Sequence, residues 1–293
     1  VEGDPDKTAD PDGLPDDPGL FENDYLTPTG SLGALYEVTD RFSVATNVNR
    51  GFRAPGLFEL FVNGVHGGVG AVQQGNPNLD PETSISADAS LRWRSQHVAA
   101  EVTGYINEVD NFIFLAGTGT NDPGSGLPIF QVDQQDARLF GVDLTVDVQP
   151  DPLVNLRGTL GYVDGELDDG TQVPLLPPIK LSGEVSVTPD DVGLFHDPYL
   201  NVGVRYAGSQ DSAGLIEPFG QFDDPPPPFG TASTDSYALV DLGVGGRIGR
   251  TATQLDIEVT NLFDKDHRDF LDTYKNVTLG PGRNVILRLT QAF

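Results

Sequence analysis

Gln254-Leu255-Asp256-Ile257-Glu258-Val259-Thr260 alternates without a break, with Leu255, Ile257 and Val259 on one side and Gln254, Asp256, Glu258 and Thr260 on the other. Side chains alternate faces along a β-strand, so this stretch has one apolar face and one wet face. The pattern recurs in Leu200, Val202, Val204 and Tyr206, and in Ile85, Ala87, Ala89, Leu91 and Trp93. It returns in Val285, Leu287, Leu289 and Phe293, with Arg288, Thr290 and Ala292 opposite. Eleven such segments are predicted, at 28–38, 41–50, 84–95, 97–115, 129–149, 152–165, 178–188, 198–209, 235–248, 252–263 and 283–293.

The connections between them sort by length. Thr39-Asp40, Gln96, Pro150-Asp151 and Gly249-Arg250 are tight turns, and 189–197 fits the short side. Residues 51–83, 116–128, 166–177, 210–234 and 264–282 are long and rich in Gly, Pro and Asp. Short turns at one end and long loops at the other are the form of outer-membrane barrels, whose apolar faces meet lipid and whose polar faces line a lumen. The expected fold is therefore all-β, an antiparallel transmembrane β-barrel of about eleven strands over residues 25–293. Closed bacterial barrels have even strand counts, so eleven strands read as half of a larger barrel. A soluble sandwich also alternates, but seldom carries long loops at one end only.

Composition agrees. Hydrophobic residues make up 38%, while Gly (35) and Pro (23) are abundant, as a wet lumen and many turns require. No apolar run approaches the length of a transmembrane helix, whereas a strand needs only about ten residues to cross. The net charge of −27 would repel phosphates and excludes nucleic acid as a partner. It leaves two readings open: an acidic solvating coat, or carboxylate-lined loops that attract cations. The absence of Cys and Met, with no signal sequence at the start, reads as a processed or truncated product. Residues 1–24 hold nine acidic residues and Pro at 5, 11, 15 and 18, and read as a long exposed loop or disordered tail.

Several ordered motifs resemble one family. Asn49-Arg50-Gly51-Phe52-Arg53-Ala54-Pro55 is followed by Leu57-Phe58-Glu59-Leu60-Phe61, then by Gly75-Asn76-Pro77-Asn78-Leu79-Asp80-Pro81-Glu82. Next come Ala137-Arg138-Leu139-Phe140-Gly141-Val142-Asp143, Asn261-Leu262-Phe263-Asp264 and Gly280-Pro281-Gly282-Arg283-Asn284. Together they resemble the barrel of TonB-dependent outer-membrane receptors, with Asp143 where the family shows Glu. The resemblance implies the C-terminal half of a barrel of about 22 strands with a plugged lumen, sited in the outer membrane of a Gram-negative-type bacterium. It implies energised import of a scarce solute, such as a metal chelate or siderophore. Its partners would be outer-membrane lipid, the small-molecule or metal-chelate ligand, and the TonB complex reached through an N-terminal part not included here. Phe58-Glu59-Leu60-Phe61-Val62-Asn63-Gly64-Val65-His66 further resembles a branch that includes zinc-uptake receptors, which makes Glu59, Asn63 and His66 ligand-binding candidates.

Other candidates rest on residue type. His66 lies in a Gly-rich stretch and could ligate a metal as neutral imidazole, or be a solvated loop histidine. Asp4, Asp6, Asp10 and Asp12 could hold calcium, although EF-hand spacing is not met. The metal candidates are thus zinc, a chelated iron or calcium. Asp164, Glu166, Asp168 and Asp169, like Asp223-Asp224 before Pro225–Pro228, read as solvated loop carboxylates. Arg50, Arg53, Arg92, Arg94, Arg157, Arg205, Arg247 and Arg288 are expected mostly on the wet face, paired with lumen carboxylates. No nucleophile elbow, phosphate loop, HExxH or CxxC is present, so catalysis has no support. The competing reading is a secreted or surface β-protein that binds calcium or glycan, which requires apolar strand faces packed against one another.

Overall fold

The computed structural model describes residues 25–67, 70–210, 233–249, 253–272, 275 and 278–291. The predicted 1–24 segment, with Asp4, Asp6, Asp10 and Asp12, lies outside them, as do Asp223-Asp224 and Pro225–Pro228. Thirteen strands share one sheet. They are β1 (Gly30–Thr39), β2 (Phe42–Arg53), β3 (Asn63–His66), β4 (Ala71–Gln74), β5 (Glu82–Arg94), β6 (Val98–Asn121) and β7 (Pro128–Asp151). The series continues with β8 (Val154–Leu167), β9 (Lys180–Val187), β10 (Phe195–Ala207), β11 (Tyr237–Ile248), β12 (Thr253–Thr260) and β13 (Asn284–Gln291). Eleven follow one another in the order β1-β2-β5-β6-β7-β8-β9-β10-β11-β12-β13, and the two ends do not pair with each other among the described residues. These are the eleven segments expected from alternation.

Every neighbouring pair on this path is antiparallel, and the register keeps like faces together. One row runs Leu32–Val48–Ala87–Ile106–Phe140 from β1 to β7. Another runs Leu181–Tyr206 and Leu160–Leu181 across β8, β9 and β10, and Val244–Ile257–Leu287 closes the far side. A one-residue slip would turn every one of these side chains to the other face, so a single apolar face holds eleven strands in register. That face is bare: Leu32 is 81% exposed, Leu287 68% and Leu289 65%. Among the described residues, apolar strand faces packed on one another, as the soluble alternative requires, are therefore not found. Trp93 and Phe42 pair near the short turns, and Phe140 meets Tyr162 edge-on at 6.4 Å toward the other end, as interfacial aromatic belts do.

The buried residues gather instead beyond the long-loop end. β6 and β7 are 24 residues each and continue past their neighbours. Asn111, with φ 56°, makes a bulge where Val109 pairs with Ala137 but Phe112 with Gln135. β4 joins β7 in parallel at Val72–Ile129 and β3 at Val65–Val72, so the extension is widened to β6-β7-β4-β3. A short helix α1 (Leu57–Phe61) lays Leu60 against Leu79, Ile113 and Val132. On the other face Phe114, Val109 and Ala137 pack with Leu167 at the end of β8 and with Val173 and Leu176 of the β8–β9 connection. We call this folded cap the crown.

Two expected loops are corrected here. The 51–83 stretch holds α1, β3 and β4, and most of 116–128 is strand, since Ala116 and Gly117 pair with Gln131 and Phe130. β3 and β4 are only four residues long and the β6 extension carries Gly117 and Gly119 at alternate places, so they show too little apolar alternation to be read from sequence.

Candidate functional site

The face opposite the apolar one is concave and polar. Its shallow recesses are lined by residues such as Arg157, Glu184, Asn201 and Arg288, and Thr145, Thr159 and Lys180. Guanidinium forks tie adjacent strands: Arg205 Nε and Nη2 reach Asp241 at 2.6 and 3.0 Å, and Arg157 reaches Asp147 at 3.0 Å. Arg92 pairs with Glu101 at 3.0 Å, while Ser90–Thr103 and Thr159–Ser182 add hydroxyl bridges at 2.8 and 2.6 Å. Such half-exposed pairs contribute at most about 1 kcal/mol each, so their consequence is a wall with fixed polarity rather than a stability reserve. Arg50 is the exception to the expected arrangement. It pairs with Gly30 and Ile85, which places it on the apolar side.

Two glycines let tyrosines lie flat on this wall. A Cβ at Gly141 would meet the Tyr105 ring at 2.3 Å, and one at Gly245 would meet the Tyr199 ring at 2.6 Å. Tyr199 crosses Gly245 to donate to Asp256 Oδ1 at 2.8 Å. The glycine of the Ala137-x-x-x-Gly141-x-Asp143 motif is thus required by its cross-strand neighbour.

At the crown, Arg53 joins several segments. Its guanidinium donates to both Glu59 oxygens at 2.9 Å and to Glu82 at 2.8 and 2.7 Å. Glu82 also accepts the Ile113 N–H at 2.7 Å, and Glu59 accepts the Gly56 N–H at 2.6 Å. β2, α1, β5 and the β6 extension therefore meet at one cation. Gly75 closes the same unit: its N–H reaches Val62 O at 2.6 Å and the Asn76 N–H reaches Glu59 O at 2.9 Å. A Cβ on Gly75 would stand 2.6 Å from the Leu60 carbonyl carbon. On the far side, buried Asn261 donates to the carbonyls of Lys265 and Pro281 at 3.0 and 3.2 Å and accepts the Lys265 N–H at 2.8 Å. Its own N–H donates to Asp241 at 2.9 Å, so the 261–283 connection is clipped to the Arg205–Asp241 pair.

The three ligand candidates do not converge. Glu59 is engaged by Arg53 and Gly56. Asn63 and His66 are exposed on β3, three residues apart and so on opposite faces. Among the described residues no three His, Cys, Asp or Glu stand close enough to hold a metal ion together. Sequence reasoning missed the Arg53–Glu82 brace, because 29 residues separate the partners and only the motif order joined them.

The family model described as TonB dependent receptor-like, beta-barrel, matches residues 4–262. The chain belongs to that family. It is 27% identical over 241 residues to the vitamin B12 transporter BtuB of Photobacterium profundum, covering 82% of this chain and 34% of that protein. It is 26% identical over 307 residues to the heme/hemopexin utilization protein C of Haemophilus influenzae, covering 93% and 39%. Among solved structures, the copper transporter OprC superposes with a TM-score of 0.71 at 20% identity, covering 89% of this chain and 38% of that one. The chain thus spans between a third and two-fifths of the length of the curated relatives it matches. Its place is the outer membrane, and its family is one of receptors rather than enzymes.

Proposed function

We propose that this chain forms the solute-facing wall and crown of a receptor that captures a scarce solute at the cell surface and imports it with energy delivered through TonB. The solute class is a metal chelate or siderophore, or a comparably large organometallic molecule. One observation carries the reading: a TonB-family barrel wall, whose inner face carries its guanidinium–carboxylate pairs and hydroxyl bridges, runs at its long-loop end into a folded crown. A passive channel gains nothing from such a folded rim, whereas a receptor uses it to hold ligand at the end of a polar wall. Similarity to proteins named for vitamin B12, heme and copper supports the class without choosing a member.

Within the crown, His66 and Asn63 are the residues assigned to the ligand, as exposed polar heads on β3, and Glu59 acts on it indirectly by fixing α1. A lone imidazole suits a metal already held by a chelator, because it offers one donor only. Asp4, Asp6, Asp10 and Asp12, outside the described residues, stay candidates for calcium by residue type alone.

The test is uptake of labelled cobalamin, heme and ferric siderophores by cells lacking their own receptors and expressing the complete protein. Accumulation of one of them, abolished by a protonophore and weakened by roughly threefold to tenfold in His66→Ala, is expected. Accumulation that ignores the protonophore, or none with any of the three, overturns the proposal.

A further inference from the structure

β4 runs through the crown with β3 on one side and β7 on the other. Gln73 sits in it among buried residues: Ala71 is 1% exposed, Val72 7% and Gln73 itself 7%. Residues opposite one another in a sheet share a face, so Gln73 belongs to the row Gly64–Gln73–Phe130–Gly117. On that face its neighbours are Ala71 along the strand and the buried Phe130 across it. Neither side chain carries a hydrogen-bonding group, and Gln73 Oε1 is buried with no hydrogen-bond partner among the described residues.

A buried acceptor left unmade is destabilising, whereas an apolar side chain of similar shape is not. The crown therefore keeps an amide where Leu or Met would pack better. The flank toward β3 is open, since a Cβ on Gly64 would meet nothing within 4 Å. His66 is exposed two residues beyond Gly64, and so on the same face. Gly64 stands opposite Gln73 and His66 opposite Ala71, which makes His66 and Gln73 diagonal neighbours, roughly 7–8 Å apart. The Gly70 N–H donates to His66 O at 3.0 Å, so the spacing is fixed by a closed hairpin.

We propose that Gln73 is a solute-binding residue: through the gap at Gly64 its carbonyl accepts a hydrogen bond from a carboxamide on the rim of a metal chelate whose metal stands at His66. This rests on the import reading above and narrows it to chelates with a neutral, hydrogen-donating rim. A carboxylate has no hydrogen to give Oε1, and it would lose its hydration against Ala71 and Phe130 without a compensating bond. Gln73 thus selects the chemistry of the rim, and His66 the metal.

The experiment is equilibrium binding to the complete protein, purified in mild detergent, of two matched pairs: cobalamin against its carboxylate hydrolysis products, and heme against heme with both carboxylates converted to amides. The amide member of at least one pair is expected to bind roughly tenfold more tightly. Gln73→Met should erase that preference, while His66→Ala weakens both members alike. Gln73→Met should also resist proteolysis within 57–81 at least as well as wild type, because it removes an orphaned polar group. Equal affinity within both pairs, no binding of any form, a preference that survives Gln73→Met, or loss of binding together with faster proteolysis each overturns the proposal. Amide-selective binding without protonophore-sensitive uptake would sustain the role of Gln73 and count against import.

Discussion

Leu144 and Thr145 are adjacent on β7, yet the structure assigns them to different solvents. Leu144 pairs with Val102 and Leu160 on the apolar face, and Thr145 pairs with Glu101 and Thr159 on the polar one. Leu144 lies four residues from Phe140 and four from Val148, the ends of the apolar band on this strand. At about 2.6 Å of vertical rise per residue for a strand tilted near 40°, it stands some 10 Å from either interface. Leu144→Arg should then cost about 2–4 kcal/mol, the penalty for a guanidinium near the bilayer midplane. Thr145→Arg should cost less than about 1 kcal/mol, because its side chain enters water beside Glu101. The assay is reversible unfolding of the complete protein in lipid, followed by heat-modifiable gel mobility and tryptophan emission from Trp93. If Thr145→Arg destabilises as much as Leu144→Arg, the assignment of faces is wrong.

Three further outcomes follow from particular contacts. Gly75→Ala must displace the α1–β4 junction, since its Cβ would meet backbone 2.6 Å away. Limited proteolysis should then cut within 57–81 at least about tenfold faster, while the barrel's unfolding midpoint stays unchanged. Asn261→Ala removes three side-chain hydrogen bonds from a residue that is 2% exposed, and should weaken the 261–283 connection by about 2–4 kcal/mol. Amide exchange at Lys265 and Arg283 reads this directly. In the β6–β7 turn, the Ser125 hydroxyl, then its N–H, holds the Asp122 carboxyl below the usual carboxylate range. A depressed folded pKa gives stability that is present above the ordinary carboxylate value and lost as pH falls through the lowered one. Protection of the Ser125 amide should therefore hold at neutral pH, begin to fall only below about pH 4 and be lost as the lowered value is passed, and Asp122→Asn should flatten that dependence.

The barrel was legible because lipid and water impose a period of two, and Leu255-x-Ile257-x-Val259 declares it without help from the rest of the chain. The crown was not. Its strands Asn63–His66 and Ala71–Gln74 are four residues long, the first exposed throughout and the second buried in all but Gln74, so neither alternates. The pairing of β4 with β7 depends on β8 stopping at Leu167, a fact no local pattern carries. Arg50 was misplaced for a related reason. Alternation says which residues share its face, but an arginine there reads as lumen until the register shows Ile85 beside it.

The residues by which the sequence resembled its family are mostly joints. Arg53 and Glu82 brace the crown, Gly75 lets α1 close on β4, Gly141 admits the Tyr105 ring, and Asn261 clips a loop. None of these can be exchanged without moving backbone or stranding a buried polar group, so they are tied to the architecture and not to any one solute. Glu59 illustrates the consequence. It stood among the ligand candidates because of its motif, and its two oxygens are occupied by Arg53 and the Gly56 amide. His66 and Asn63 have no such duties, since they stand exposed on a strand whose outer edge no other described strand pairs with. Solute choice should therefore vary with residues of the second kind. Exchanging 63–70 between relatives of different solute preference should move specificity, and exchanging Arg53, Glu59 and Glu82 together should not.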